Sequence, residues 1–229
     1  ITTGSGGTAG GPLANSNEFV IPMPPGAQAG DLVIIFLYLD CSVTGIADAD
    51  IGSFISTKGW QIHFGTDSGP DIPPYYRFTR IMKKHITDNE PSVSFYGKIG
   101  TLMAISAAYV GKQITRVVAI QNSVLGSYAS PHTLSLTGIA VDDEIPEGSD
   151  LAWFAYNTPG TPATWATSGI TAGYTLQELV TGATALDNVA LITRDSVPVG
   201  TSGDISVTLT GSTSAITGGG YLVLLGDIP

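Results

Sequence analysis

Residues 30–39, GDLVIIFLYL, decide the fold class. A Gly-Asp pair launches eight consecutive apolar residues, among them the β-branched Val33, Ile34 and Ile35. As a strand, eight residues at about 3.3 Å each span about 26 Å. As a helix the same run is too short to cross a bilayer, and the bounding Gly and Asp favour a buried central strand over a buried helix. A second copy follows in residues 148–156, GSDLAWFAY.

Working outward from these two stretches, a longer echo emerges. Gly59-Trp60 matches Gly173-Tyr174, Thr79-Arg80 matches Thr193-Arg194, Glu90 matches Asp204, Ser92-Val93 matches Ser206-Val207, and Gly97 matches Gly211. Every pair is 114 positions apart. Asp31 and Asp150 are 119 apart, which places five extra residues in the first half, in the loop 40–58. The expected strands are residues 18–23 and 132–137, 31–39 and 150–157, 59–64 and 173–179, 75–82 and 188–194, 92–97 and 205–210, and 102–110 and 219–225. No window keeps apolar residues at i, i+3, i+4 and i+7 for three turns, so no helix is expected. The fold class is therefore all-β: a jelly-roll-like antiparallel β-sandwich built from two pseudo-repeated halves, 18–111 and 132–226, of about six strands each. The period is too long for a solenoid and indicates internal duplication. One sandwich spanning 18–229 is preferred to two in tandem, because the join 111–131 holds a further strand candidate, residues 116–121, and no linker-like composition.

Residues 1–17, ITTGSGGTAGGPLANSN, are rich in Gly, Ser and Thr and nearly uncharged. They are expected to form a flexible N-terminal arm, either loose or laid on a neighbouring subunit. The sequence starts at Ile1 rather than Met, as expected where a leading segment has been removed. No stretch reads as a signal peptide or a spanning helix, so membrane insertion is not expected.

Charge narrows the partners. Nineteen acidic residues against nine basic ones give a net charge of −10, which argues against nucleic acid and anionic membranes. Charged residues are only 12% of the chain, and surfaces so thin in charge suit an assembly. The single cysteine, Cys41, excludes an internal disulfide and reads as a buried small hydrophobe.

Catalytic constellations do not emerge. His63, His85 and His132 lie in three different elements without zinc-ligand spacing. There is no G-x-S-x-G elbow. Gly218-Gly219-Gly220 leads into a strand and not a helix, so it offers no aligned N–H groups to a phosphate. Asp67-Ser68-Gly69 has the D-S-G order of an aspartic protease, but it lacks an apolar strand in front and reads as a loop. Two acidic clusters, Asp48 with Asp50 and Asp142-Asp143-Glu144, are the candidate ligands for calcium, the one cofactor the sequence suggests; solvated loop charge is the alternative. Tyr75, Tyr76 and Trp165 stand beside turn residues and are the candidate stacking rings for a carbohydrate. Trp60 and Tyr174 recur in both halves and are assigned to the core.

The order Gly30-Asp31-Leu32, Gly59-Trp60, Tyr76-Arg77, Glu90-Pro91-Ser92-Val93 and Ala108-Tyr109-Val110-Gly111 resembles a β-sandwich domain of bacteriophage tail-fibre, head-fibre and capsid-surface proteins. The resemblance runs over residues 20–226, through core and turn positions. It implies a non-enzymatic virion structural protein, a capsid-decoration or fibre component on the virion surface that docks to other copies of itself and to other virion proteins, with a host-surface glycan as a further partner. Val110-Gly111 and the long acidic loop 40–58 depart from the family pattern. An extracellular carbohydrate-binding module and a cell-surface filament subunit joined by strand addition are the alternatives.

Overall fold

The computed structural model describes residues 2–5, 17–41, 59–72, 75–87, 92–97, 101–124, 132–136, 149–159, 164–165, 170–181, 188–197, 205–210 and 216–229. Among them there is no helix. The strands are β1 (Thr2–Ser5), β2 (Asn17–Pro22), β3 (Leu32–Cys41), β4 (Gln61–Ile72), β5 (Tyr75–His85), β6 (Ser92–Gly97), β7 (Thr101–Tyr109), β8 (Lys112–Val124), β9 (His132–Leu136), β10 (Ser149–Pro159), β11 (Thr164–Trp165), β12 (Thr175–Thr181), β13 (Asn188–Val197), β14 (Ile205–Thr210) and β15 (Ile216–Asp227). All pairings are antiparallel. The chain is all-β, as its composition and periodicity indicate.

Contacts group the chain into two compact units, Ile1–Gly111 and Lys112–Pro229. The first unit holds a five-stranded sheet in the order β1-β7-β3-β5-β4 and a two-stranded sheet, β2-β6. The second holds a five-stranded sheet, β8-β15-β10-β13-β12, and a three-stranded one, β9-β14-β11. The two five-stranded orders correspond strand for strand, with β1 matching β8, β3 matching β10 and β5 matching β13. In the first unit the β1 position falls to Thr2–Ser5, inside the stretch expected to be an arm, paired with β7 from Thr2↔Ala108 to Ser5↔Ile105. Sequence reasoning left β8 in the join; it is the fifth strand of the second unit's sheet.

Each unit is built around its apolar run. Leu32 to Tyr38 of β3 are at most 1% exposed, as are Leu151 to Ala155 of β10. Successive strand residues face opposite sides, so burial of both parities means that both faces of each central strand are covered. In β10, Trp153 lies between Ile192 of β13 and Leu222 of β15. These three form one side of a core that also holds Leu151, Ala155, Tyr174, Ala190, Val197 and Leu224. In β3, Phe36 lies between Ile81 of β5 and Ile105 of β7.

The Gly-Asp launch has a defined geometry. Gly30 takes φ +96°, a conformation that costs an L side chain. Its N–H donates to the Ile86 carbonyl at 2.7 Å, and Ile86 N–H donates to the Asp31 carbonyl at 3.0 Å. The Asp31 carboxylate accepts from Gln28 N–H at 2.8 Å. The start of β3 is thereby tied to the chain just beyond β5.

Two expectations are corrected. Asp67-Ser68-Gly69 lies in strand β4, where Asp67 pairs with Phe78 and Ser68 with Arg77. Pro70 falls where the ladder with β5 shifts register, between Ser68 and Ile72, on the outermost strand of the sheet, where a missing N–H costs least. Gly218-Gly219-Gly220 lies within β15, opposite Asn157, Tyr156 and Ala155, instead of leading into a strand.

The uniform 114-residue register also gives way. Gln61 pairs with Lys83 and Thr175 with Thr193, so the counterpart of Lys84 is Arg194, 110 positions later. Arg80, matched to Arg194 by sequence, is instead 4% exposed in mid-strand and donates to the Thr79 carbonyl at 2.9 Å. The Thr-Arg dipeptides coincide in count, but pairing with the Gly-aromatic strand sets the true alignment.

Candidate functional site

The corrected alignment exposes a shared device. Gly59 and Gly173, at φ +76° and +88°, turn the chain so that Trp60 and Tyr174 enter the core, where they are 2% and 8% exposed. A cation then covers each ring. Lys84 Nζ lies 6.0 Å from the Trp60 centroid, and Arg194 Cζ lies 5.5 Å from that of Tyr174. Both side chains also pass over the glycine: a Cβ on Gly59 would sit 3.6 Å from Lys84 Cε, and one on Gly173 3.6 Å from Arg194 Nε. The Lys84 and Arg194 cations are thus part of the fold.

In the first unit more is added around the cation. An open groove of about 400 Å³ is lined by Gly59, Gln61, Lys83, Lys84, His85 and Thr87. Lys83 and Lys84 are half-buried, while Gln61, His85 and Thr87 are exposed. His85 Nδ1 is 3.5 Å from the Gly30 carbonyl oxygen, so its Nε2 is the ring nitrogen able to meet a ligand. The second unit has Thr175, Thr193 and Asp195 at the places of Gln61, Lys83 and His85. There Thr193 is buried and accepts a hydrogen bond from Gln177 Nε2 at 2.9 Å.

A second polar cluster ties strands of the second unit. Lys112 Nζ, at the start of β8, meets Asp227 Oδ1 at 2.7 Å and Asp150 Oδ2 at 3.1 Å. The hydrogen bond that Lys112 donates to Asp227 is the main reason that its ammonium holds its proton above the ordinary value; burial opposes it and Asp150 assists. Asp150 Oδ1 also accepts from Ser196 N–H at 3.1 Å, and Ser196 takes φ +52°, left-handed for a residue with a side chain. This cluster fastens β8, β10, β13 and β15. On the edge strand β12, burial pushes the Glu178 carboxyl up, partly opposed by a backbone hydrogen bond at Leu179.

The residues singled out by sequence fall elsewhere. Tyr75 and Tyr76 open β5, paired with Ile72 and Cys41, in the first unit. Trp165 lies on β11, paired with Leu209, in the second. The three therefore belong to different units. Asp48, Asp50, Asp142, Asp143 and Glu144 lie outside the described residues. Among the described residues no three His, Cys, Asp or Glu side chains come together to hold a metal ion, and no helix is long and apolar enough to cross a membrane. The groove was missed because Lys83-Lys84-His85 reads as the end of a strand. A signal was present: five of the nine basic residues, Lys58, Arg77, Arg80, Lys83 and Lys84, crowd into 27 positions of an acidic chain.

Comparison with known proteins adds no relative: no family model matches the chain, and neither a curated protein nor a solved structure does.

Proposed function

We propose that the chain is a non-enzymatic structural protein of a bacteriophage surface, a capsid-decoration or fibre component whose jelly-roll-like halves repeat one plan and act as a docking and display module. The observation that carries this reading is where its charged groups go. Lys112 with Asp150 and Asp227 fastens three strands of one sheet, and Lys84 and Arg194 cover core aromatics. Such side chains serve rigidity, which suits a scaffold. The phage assignment rests on the order of Gly30-Asp31-Leu32, Gly59-Trp60, Glu90-Pro91-Ser92-Val93 and Tyr109-Val110-Gly111 along the chain. Its partners are other copies of itself and other virion proteins. The four-residue β1 is the element best suited to bridging copies, because its antiparallel ladder on β7 is short and is made equally well by the same strand of a neighbour.

The solution mass, measured by light scattering on a sizing column with and without residues 1–17, tests this. A trimer or larger species that falls to monomer on truncation, with nearly unchanged melting temperature, is the expected result. A monomer in both forms at all concentrations contradicts it.

A further inference from the structure

We propose that the groove beside the end of β5 binds an acidic saccharide, with Lys83 and His85 holding its carboxylate. The inference is independent of the virion reading. Its volume, about 400 Å³, is within the range of small-ligand sites. Among the described residues no acidic side chain lines it, although the chain carries a net charge of −10. Among the described residues no carboxylate pairs with Lys83.

The second unit supplies an internal control. A cation at the Lys84 position is kept there as Arg194, over its own aromatic ring, so that charge belongs to the fold. Lys83 and His85 have no such duty, since Thr193 and Asp195 occupy the same places beside an equivalent ring. An ammonium group and an imidazole that the fold does without, set in an open groove beside a third cationic side chain, make a site for an anion.

The neutral lining narrows the class. Gln61 brings an amide that both donates and accepts, and Thr87 a hydroxyl that does the same, which match sugar hydroxyls. Among the described residues the lining holds no arginine, whose fork matches phosphate oxygens in pairs. Single ammonium and imidazole donors beside an amide and a hydroxyl fit one carboxylate carried on a hydroxylated ring.

The test is isothermal titration of the full chain with a glucuronate-containing disaccharide, cellobiose as its uncharged counterpart, and inorganic phosphate. Saturable binding of the glucuronate disaccharide that weakens with salt and exceeds cellobiose is expected. Replacing Lys83→Thr with His85→Asp, the residues of the second unit, should weaken it by about tenfold or more, as loss of a charge-assisted hydrogen bond does. If the double variant melts markedly lower, Lys83→Gln alone, which keeps a polar side chain and removes the charge, carries the test with the same direction of effect. Failure of the acidic disaccharide to bind at millimolar concentration overturns the proposal, as does unchanged affinity in a folded variant. Phosphate binding as tightly as the disaccharide also overturns it, because the groove is then a general anion site.

Discussion

Gly220→Ala should be among the most damaging single-methyl additions to this protein. Gly220 sits in β15 opposite Ala155 of β10, with φ +153°. A Cβ built there runs into the Phe154 carbonyl oxygen and lies 2.8 Å from Ala155 Cα and 2.9 Å from Phe154 carbonyl carbon. These are backbone atoms of a central strand whose side chains from Leu151 to Ala155 are fully buried, so they have nowhere to retreat. Overpacking of this kind costs about 1–3 kcal/mol, and forcing an L residue into a glycine conformation adds about 1–3 kcal/mol. The sum, about 2–6 kcal/mol, corresponds to a fall in melting temperature of about 4–24 °C for a chain of this length. Gly30→Ala separates the two contributions. Gly30 has φ +96° but nothing within 4 Å of the added carbon, so only the conformational cost of about 1–2 kcal/mol should appear. Differential scanning calorimetry of the wild type and the two variants reads both. A Gly220→Ala protein that melts with the wild type, or no lower than Gly30→Ala, refutes the close approach of β15 to β10.

Other variants probe the polar ties. Lys112→Met should lose about 0.5–1 kcal/mol at neutral pH, the range for a partly exposed ion pair. The Lys112 pKa is raised on folding, so its contribution is present below the ordinary value of 10.5 and fades as pH climbs through the higher folded value; urea melts of the variant should lack that alkaline loss. Glu178→Gln has the opposite sense. A carboxyl pushed up by burial holds its proton more tightly in the folded state, so wild-type stability drops as pH rises through the range just above 4.5; the variant should be flatter there and more stable at pH 7. Lys84→Met and Arg194→Met, which keep an apolar stem over the ring and remove the charge, should each cost about 0.5–1 kcal/mol in chemical denaturation.

The central strands were legible because nothing else explains uninterrupted apolar runs of strand length beginning at Gly-Asp. The Gly-aromatic bend was legible in both halves for a related reason: Gly59-Trp60 and Gly173-Tyr174 each pair a positive-φ glycine with a buried ring. Register was not. It is set by hydrogen-bonding partners in space, and a chance coincidence of Thr79-Arg80 with Thr193-Arg194 concealed a four-residue difference between Gln61–Lys83 and Thr175–Thr193. The strand role of Thr2–Ser5 was equally hidden, since a Gly-Thr-Ser segment carries no alternating apolar signal and is held only by its neighbour's ladder. The groove at Lys83 and His85 became readable only against the second unit, where the matching residues show which of its charges the fold requires.

Amide hydrogen exchange on the intact chain tests the two-centred plan most directly. The slowest amides should lie in two separate sets, β3 with the β5 and β7 residues paired to it, and β10 with those of β13 and β15. Strong protection in only one set, or rapid exchange across residues 151–155, would contradict it.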